Sequence, residues 1–349
     1  MRFGALSNPG VQAGFLSALL FGAGTPIAKL LLGEVSPWLL AGLLYSGSGL
    51  GLGLYRLIRG AQPVRLTRRE VPSLVGAILF GGIGGPVLLM FGLSGMPASG
   101  ASLLLNAEAV ATAVIAWVVF RENVDRRIAL GMAAIVAGAV VLSVPADVQL
   151  GSVGPSIAIV GACVCWAIDN NLTRKIALTD ATWLAAVKGG VAGPVNLAIA
   201  FLLGATLPPV WAIAASMGAG LVAYGVSLAL FIVAMRHVGT ARAGAYFSIA
   251  PFFGAVLAVT LGDAVTIPLV VATVLMGVGV WLHVTERHAH EHAHEATTHD
   301  HVHHHDDGHH DHEHGTPVAA GVSHRHTHTH EVVTHSHEHF PDAHHRHDH

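Results

Sequence analysis

A histidine-rich segment, HVHHHDDGHHDHEHG at residues 301–315, carries the most evident chemistry in this sequence. It holds eight histidines and four carboxylates, and similar stretches make 24 of the 26 histidines fall after residue 284. Neutral imidazole binds Zn, Ni, Cu and Co, and a flexible chain can wrap whichever ion is present. We therefore predict that Ni, Zn or Co binds this tail and that the chain requires no cofactor. The candidate metal ligands are His288, His290, His292, His294, His299, His301, His303, His304, His305, His309, His310, His312, His314, His324, His326, His328, His330, His335, His337 and His339.

Four charged residues lie inside apolar runs, where a charge is costly to bury: Lys29, Glu108, Asp169 and Lys188. Glu108 falls near the middle of a predicted helix with Asn106 close by. Its carboxyl could take up a proton there, because burial favours the neutral form. Glu108 and Asn106 are therefore our first candidates for contact with a substrate or a coupling ion. The alternative is that Glu108 is the partner of a buried cation such as Lys29.

The sequence AIDNN supplies a second candidate group, Asp169, Asn170 and Asn171. These polar side chains could line a cavity. Helical spacing also permits local pairs between Asp169 and Thr173 and between Asn170 and Arg174. Both interpretations stay open.

The sequence GAGTP, just before Lys29, supplies the third group. Pro26 lacks a backbone donor and should kink or break the first helix. Freed carbonyls are tolerated in a bilayer only beside protein or a water-filled cavity, so Thr25, Pro26 and Lys29 are further cavity candidates. For Lys29, and also for Lys188, we favour a side chain that extends to the membrane surface.

Small residues inside the apolar runs predict packing rather than chemistry. Cys163 and Cys165 are two positions apart, so they point to different sides of a helix and are expected to be structural. Three glycine pairs have the spacing that lets helices approach closely, and they are Gly47 and Gly51, Gly49 and Gly53, and Gly81 and Gly85.

The elements that must position these residues are membrane spans. The chain has 349 residues, of which 52% are hydrophobic and 11% charged, too few polar residues to cover a soluble protein of this size. A spanning helix needs about 20 apolar residues. Breaking the chain at its charged or Pro- and Gly-rich joints predicts ten spans, at about 10–32, 37–58, 71–93, 97–120, 127–145, 153–175, 182–204, 209–235, 240–262 and 266–284.

Basic residues occur in every second joint and are missing from the joints between. Because positive joints face the cytoplasm, this alternation predicts that both termini lie inside, with the chain in the cytoplasmic membrane. The formal charge is +6 over residues 1–284 and −9 over residues 285–349. We therefore predict a boundary near residue 285, followed by a tail that lacks the apolar area to fold and is disordered.

Two helical segments recur at a similar interval. A shift of 145 places FGAGTPIAKLLLGEVSPW (21–38) over WAIDNNLTRKIALTDATW (166–183), and a shift of about 142 places NAEAVATAVIAWVVFRE (106–122) over SIAPFFGAVLAVTLGD (248–263). The pattern predicts two five-helix units, residues 1–145 and 146–284, ahead of the tail at 285–349. Since five is odd, the second unit is inverted, as in secondary transporters whose substrate site lies between the halves.

This arrangement resembles the EamA branch of the drug/metabolite transporter superfamily over about residues 10–284. The resemblance depends on the segments around Lys29 and Glu108, on WVVFRE, on GMAAIVAGAVVL (131–142) and on IAPFFGAVLAVTLGD (249–263). It implies an all-α membrane protein of ten helices. It also implies a proton-coupled or exchange carrier for small metabolites, often an exporter.

We therefore expect a secondary transporter, and more specifically an exporter, of a small metabolite or metal chelate, with the tail as modulator. Glu108, Asp169 and the nearby amides are a thin shell for a bare divalent ion and suit a zwitterion or a chelated metal better. The alternatives are a Ni, Co or Zn transporter and a metal-buffering or metal-sensing membrane protein. The expected partners are lipid, a small-molecule substrate and transition metal ions, without nucleic acid, and a homodimer stays an open alternative.

An enzyme is not expected. The spans show no nucleophile–base pair, and the sequence lacks a GxxxxGK[ST] loop. HEHAH at 290–294 fits the zinc-protease signature H-E-x-x-H. Where histidine recurs at every second position, such a match is expected by chance.

Overall fold

The computed structural model describes residues 9–62, 64, 66–120, 126–143, 153–174, 176, 180–238, 243, 246–284, 289–294, 298–303, 324–329 and 333–338. The chain forms two units, Met1–Glu286 and Arg287–His349. The first is helical where described, and the second contributes short strands.

The described helices follow the predicted spans to within a few residues at most ends. The first half contains α1 (Pro9–Leu31), α2 (Pro37–Ile58), α3 (Val71–Ala77), a first π-helical segment (Ile78–Gly84), α4 (Gly85–Ser94), α5 (Ala98–Leu104), α6 (Ala107–Phe120) and α7 (Arg126–Ser143). The second half contains α8 (Gly154–Arg174), α9 (Ala181–Leu202), α10 (Val210–Gly220), a second π-helical segment (Leu221–Val226), α11 (Ser227–Val238), α12 (Ala250–Thr260) and α13 (Ile267–Val284).

Apolar side chains cover much of the outside of this helical unit. Leu57, Leu202 and Ile267 are each more than three-quarters exposed, which water would disfavour and lipid tails would not. Five described helices are long and apolar enough to cross a membrane, namely Pro9–Leu31, Val71–Ser94, Gly154–Thr173, Ala181–Leu202 and Val210–Met235. The helices confirm the predicted all-α class of this unit.

The two halves share the same irregularities at equivalent places. The two π-helical segments begin at Ile78 and Leu221, an offset of 143 residues. Turns at Leu105–Asn106 and Ser248–Ile249 precede α6 and α12 at the same offset. Packing follows the same relation, because α4 contacts α8 as α11 contacts α1, and α2 contacts its equivalent α9. A duplicated unit accounts for these correspondences.

Glycines allow α2 to pack closely against the second half. A Cβ atom on Gly49 would collide with the backbone of α9 at Gly189 and Gly190, and one on Gly47 would collide with the Met217 carbonyl. The packing predicted for these positions is confirmed. Gly53, which we also assigned to packing, has open space around its missing Cβ, so that prediction was wrong.

An ion pair joins the end of α2 to the start of α9. Arg56 Nη1 lies 2.7 Å from Asp180 Oδ2, and it also donates to Thr182 Oγ1 at 2.8 Å. Although partial burial opposes this, hydrogen bonds from Arg56, Thr182 and the Trp183 backbone hold the pKa of Asp180 well below its usual range. The carboxylate therefore stays charged at physiological pH and also caps α9.

The first helix is not broken at Pro26. Of the kink or break that we predicted there, the break does not occur, because α1 continues through Pro26 to Leu31. Proline removes only one helical hydrogen bond. The preceding turn also packs closely against α12, because a Cβ atom on Gly22 would collide with the Ala250 carbonyl oxygen.

The tail, described by itself, contains β1 (Ala289–His294), β2 (Thr298–His303), β3 (His324–Thr329) and β4 (Val333–Glu338). β1 pairs with β4, and β2 pairs with β3, both antiparallel. In these segments the alternating His-x-His pattern has the two-residue period of a strand, and ladder pairing needs no apolar core. Disorder of the tail as a whole stays a prediction. The register sets histidine opposite histidine, as at His292 and His335 or His301 and His326.

Candidate functional site

A hydrogen bond between the two halves involves the first candidate carboxylate. The turn at Leu105–Asn106 ends α5, so Glu108 lies in the first turn of α6. Its Oε1 accepts a hydrogen bond of 2.6 Å from Asn170 Nδ2 in α8. Asn170 therefore bonds across to the other half, and the local pair with Arg174 that helical spacing permitted stays a prediction, because the Arg174 side chain lies outside the described part of the chain.

Lys29 is not the partner of Glu108 that one interpretation required. Its Nζ donates to the Leu93 carbonyl at 2.7 Å and to the Ser94 carbonyl at 3.4 Å. Those carbonyls belong to the last turn of α4, where a cation is favourable. Lys29 is only partly buried there, as expected for a side chain near the end of its span.

A buried ion pair lies beside Asn170. Lys188 Nζ in α9 donates to both oxygens of Asp169 in α8, at 2.7 and 2.6 Å, and Thr173 Oγ1 donates to Asp169 Oδ1 at 2.9 Å. Lys188 is 3% exposed, so the prediction that it reaches the membrane surface was wrong. Its charge can be buried because a carboxylate on the neighbouring helix compensates it.

The first π-helical segment lies against this pair and receives side-chain donors from three helices. Tyr45 and the Trp166 indole both donate to the Gly81 carbonyl, at 2.6 and 3.1 Å, and Asn196 donates to the Gly82 carbonyl at 3.0 Å. Backbone carbonyls at an irregular turn inside a membrane need such partners. Gly81, which we predicted to serve helix packing, allows α8 to approach closely, and the group it adjoins is polar, because a Cβ atom there would collide with the Asp169 carboxylate.

Aromatic rings from both halves contact one another, and two of them, Tyr45 and Trp166, also donate to the Gly81 carbonyl. The Phe21 ring lies 5.9 Å from Trp166, 5.9 Å from Tyr224 and 5.0 Å from Phe247, measured between centroids. Tyr45 lies 5.4 Å from Tyr224. With Phe231, which is 4.8 Å from Phe247, they form what we call the six-ring cluster: Phe21, Tyr45, Trp166, Tyr224, Phe231 and Phe247.

The charges in this region are unequally compensated. Lys188 neutralises Asp169, whereas the hydrogen-bond partner of Glu108 is a neutral amide. Among the described side chains, an ionised Glu108 therefore leaves this group with one net negative charge, able to attract a proton or another cation.

The other predicted residues lie outside this arrangement. Asn106 donates to the Leu103 carbonyl at 2.9 Å, and its buried Oδ1 has no hydrogen-bond partner among the residues that the structure describes. Asn171 donates to Ala167 in its own helix at 2.8 Å. Thr25 and Pro26 are buried in α1. Among the predicted tail ligands, His288, His304, His305, His309, His310, His312, His314, His330 and His339 lie outside the described residues.

Sequence reasoning did not select Tyr45, Trp166 or Asn196, and it assigned Lys188 to the membrane surface. One signal was available, because FGGIGGP places four glycines and a proline inside an apolar span. Such a run weakens regular helix formation, so it calls for donors from other helices. It does not identify those donors.

Two features together define a multi-pass membrane transporter. The helices are apolar and have lipid-facing surfaces, and a polar, charged region lies where the two equivalent halves meet. Comparison with known proteins agrees. The EamA-like transporter family matches residues 8–144 and again residues 155–285. The chain therefore belongs to the EamA-like transporter family.

Individual relatives support the class without adding a substrate. The chain is 25% identical over 285 residues to an uncharacterized transporter from Methanothermobacter thermautotrophicus, an alignment that covers 76% of this chain and 83% of the relative. One solved crystal structure superposes with a TM-score of 0.62 at 20% identity and covers 79% of this chain and 95% of its own. The latter likeness concerns the fold alone.

Proposed function

We propose that this transporter is a secondary carrier that exports a small organic metabolite or a metal chelate across the cytoplasmic membrane by alternating access. The observation that carries the proposal is the Glu108–Asn170 hydrogen bond, which joins α6 of one half to α8 of the other. A site between two inverted halves can be exposed to each side in turn when the halves rock against each other. Flux of small organic metabolites and metal chelates, measured in proteoliposomes, tests this proposal.

The charges in the described region favour an organic cargo over a bare divalent ion. Divalent cations bind through several carboxylate, imidazole or thiolate ligands. Asp169 is already held by Lys188 and Thr173, which leaves Glu108 as the carboxylate with a neutral partner. Transport of Ni, Co or Zn itself is the second candidate, and the tail is the feature that favours it.

We assign the tail the role of a metal-binding modulator on the cytoplasmic side. Directly opposed residues of an antiparallel pair have Cβ atoms about 4.5–5.5 Å apart, a separation at which two imidazoles can share one ion. The strand register opposes His290 to His337 and His299 to His328 in this way. The alternative is that the protein senses or buffers metal, in which case its function would depend on the tail alone.

Ending the chain at Arg287 should leave basal transport largely intact and abolish only its dependence on metal.

The tail should hold Ni, Zn or Co at about pH 7.5 and release much of the metal at about pH 5.5, because imidazole binds metal only when neutral and its ordinary pKa is about 6.5. Flux with and without Zn, at both pH values, measures this. A chain ending at Phe340, which keeps all the predicted ligands, is the control. Loss of all transport in the correctly inserted shorter chain would make metal the cargo.

The orientation follows from the basic residues in alternate joints. A reporter fused after residue 284 should read cytoplasmic, and one inserted in the joint at 145–151 should read external, because positive joints stay inside. Protease accessibility in right-side-out and inverted vesicles gives an independent measurement. If both reporters lie on the same side, the ten-span arrangement and the inverted repeat are wrong.

A further inference from the structure

We propose that the tail forms two four-histidine sites for a divalent transition metal ion, one on each pair of strands. The inference rests on the modulator role proposed above, and it specifies the ligands and the number of ions. The second site consists of two adjacent opposed pairs in β2 and β3, and the first consists of His290, His292, His335 and His337.

The strand register places the histidines of β1 and β4 on one face of their pair. Residues two positions apart in a strand share a face, and so do residues directly opposite in the neighbouring strand. His290 is opposed to His337, and His292 is opposed to His335. The other face of this pair carries Ala289, Glu291, Ala293, Thr334, Ser336 and Glu338.

The second pair of strands repeats this arrangement in the same register. His299 follows His290 by nine positions, and its partner His328 precedes His337 by nine. A slip by one residue would move the histidines of one strand to the face opposite those of its partner. The register therefore brings histidines of distant segments onto a common face, and the pairs in β2 and β3 are His299 with His328, His301 with His326, and His303 with His324.

Two adjacent opposed pairs make a square of four residues that suits one ion. Opposed Cβ atoms are about 4.5–5.5 Å apart, and successive residues on one face of a strand are about 7 Å apart. Imidazoles attached at these positions can supply the four nitrogen ligands of a tetrahedral Zn²⁺ or Co²⁺. A site with four protein ligands is closed and retains its ion, which fits a modulator better than a carrier of metal.

The composition of each face selects the class of metal. Within the described strands, no acidic residue shares a face with these histidines. Ligands that are all imidazole favour Zn, Co, Ni and Cu over Mg and Ca, which prefer oxygen.

A flexible histidine-rich chain would behave differently. It wraps an ion with whichever imidazoles are near, so its capacity depends on the number of histidines and not on their order. Exchanging neighbours within β1 keeps the composition and moves two of its histidines to the other face. This β1 exchange consists of His290→Glu, Glu291→His, His292→Ala and Ala293→His.

Titration of the purified, metal-free, full-length chain with Co²⁺ tests the order dependence, because tetrahedral Co²⁺ absorbs visible light much more strongly than octahedral Co²⁺. The β1 exchange should reduce tetrahedral Co²⁺ by about one ion per chain, since β2 and β3 keep their own site. The melting temperature of the helical unit, which no exchange alters, is the control for folding.

A matching exchange in β4 should restore the lost site. Made in the chain that already carries the β1 exchange, it moves the histidines of β4 to the same new face, so four imidazoles again make a square. It consists of Thr334→His, His335→Thr, Ser336→His and His337→Ser.

Equal tetrahedral Co²⁺ in the unmodified chain and the β1 exchange would overturn the inference, and so would a loss that the β4 exchange does not restore. Failure of the modulator proposal gives a different result. Order-dependent Co²⁺ sites combined with flux that does not respond to metal would contradict modulation and leave the sites standing. Metal-dependent flux without order-dependent sites would do the reverse.

Discussion

Glu108→Gln should abolish transport while the protein remains folded in the membrane. Glutamine keeps the shape and volume of the side chain, and its carbonyl can still accept the hydrogen bond from Asn170. It cannot carry a negative charge or exchange a proton. Because a hydrogen bond to a charged group contributes about 1.5–3 kcal/mol, flux should fall by about tenfold to a hundredfold or more.

Proteoliposome flux, measured over a range of external pH, is the test. In the unmodified protein, flux should change with pH if Glu108 carries the coupling proton, and the variant should lose that dependence together with the flux. Glu34→Gln is the matched control, since Glu34 is an exposed carboxylate in the joint between α1 and α2. Unchanged flux and pH dependence in Glu108→Gln would remove Glu108 from the site, and loss of the folded protein would assign it a structural role.

The sequence predicts the helical framework well because the bilayer imposes a simple rule on it. A span must be long, apolar and internally hydrogen-bonded, and each of these properties is local. For this reason the predicted ends 37–58 coincide with α2, and the predicted span 71–93 differs by one residue from the stretch Val71–Ser94 that α3, the first π-helical segment and α4 form. The π-helical segments could not be predicted in the same way, because they depend on donors such as Tyr45 and Asn196 from other helices.

The candidate site shows the same division between local and distant contacts. The Asp169–Thr173 pair follows from helical spacing and is confirmed at 2.9 Å. Asn170 also bonds Glu108, which is 62 positions away, a contact that helical spacing does not predict. Lys188 was placed at the surface because snorkelling is the default for a lysine inside a span. Its actual partner depends on how α8 and α9 pack, which the spacing of residues does not reveal.

Lys188→Met should strongly destabilise the protein, because it leaves the Asp169 carboxylate buried without its cation. Both residues are almost fully buried, at 3% and 6% exposure, so solvent can supply little compensation. Removing one partner of a buried ion pair typically costs about 3–5 kcal/mol. The melting temperature in detergent and the monodisperse fraction after purification should therefore both fall well below those of the unmodified chain.

The double variant Asp169→Asn/Lys188→Met should recover most of that stability. Asparagine is close to isosteric with aspartate and can still accept from Thr173, and removing both charges of a buried pair is often nearly neutral for folding. The net charge beside Glu108 is then unchanged, so the double variant should also retain measurable flux in proteoliposomes. A double variant as unstable as Lys188→Met would show that the pair does more than compensate its own charges. A stable double variant without flux would show that Asp169 and Lys188 take part in transport itself.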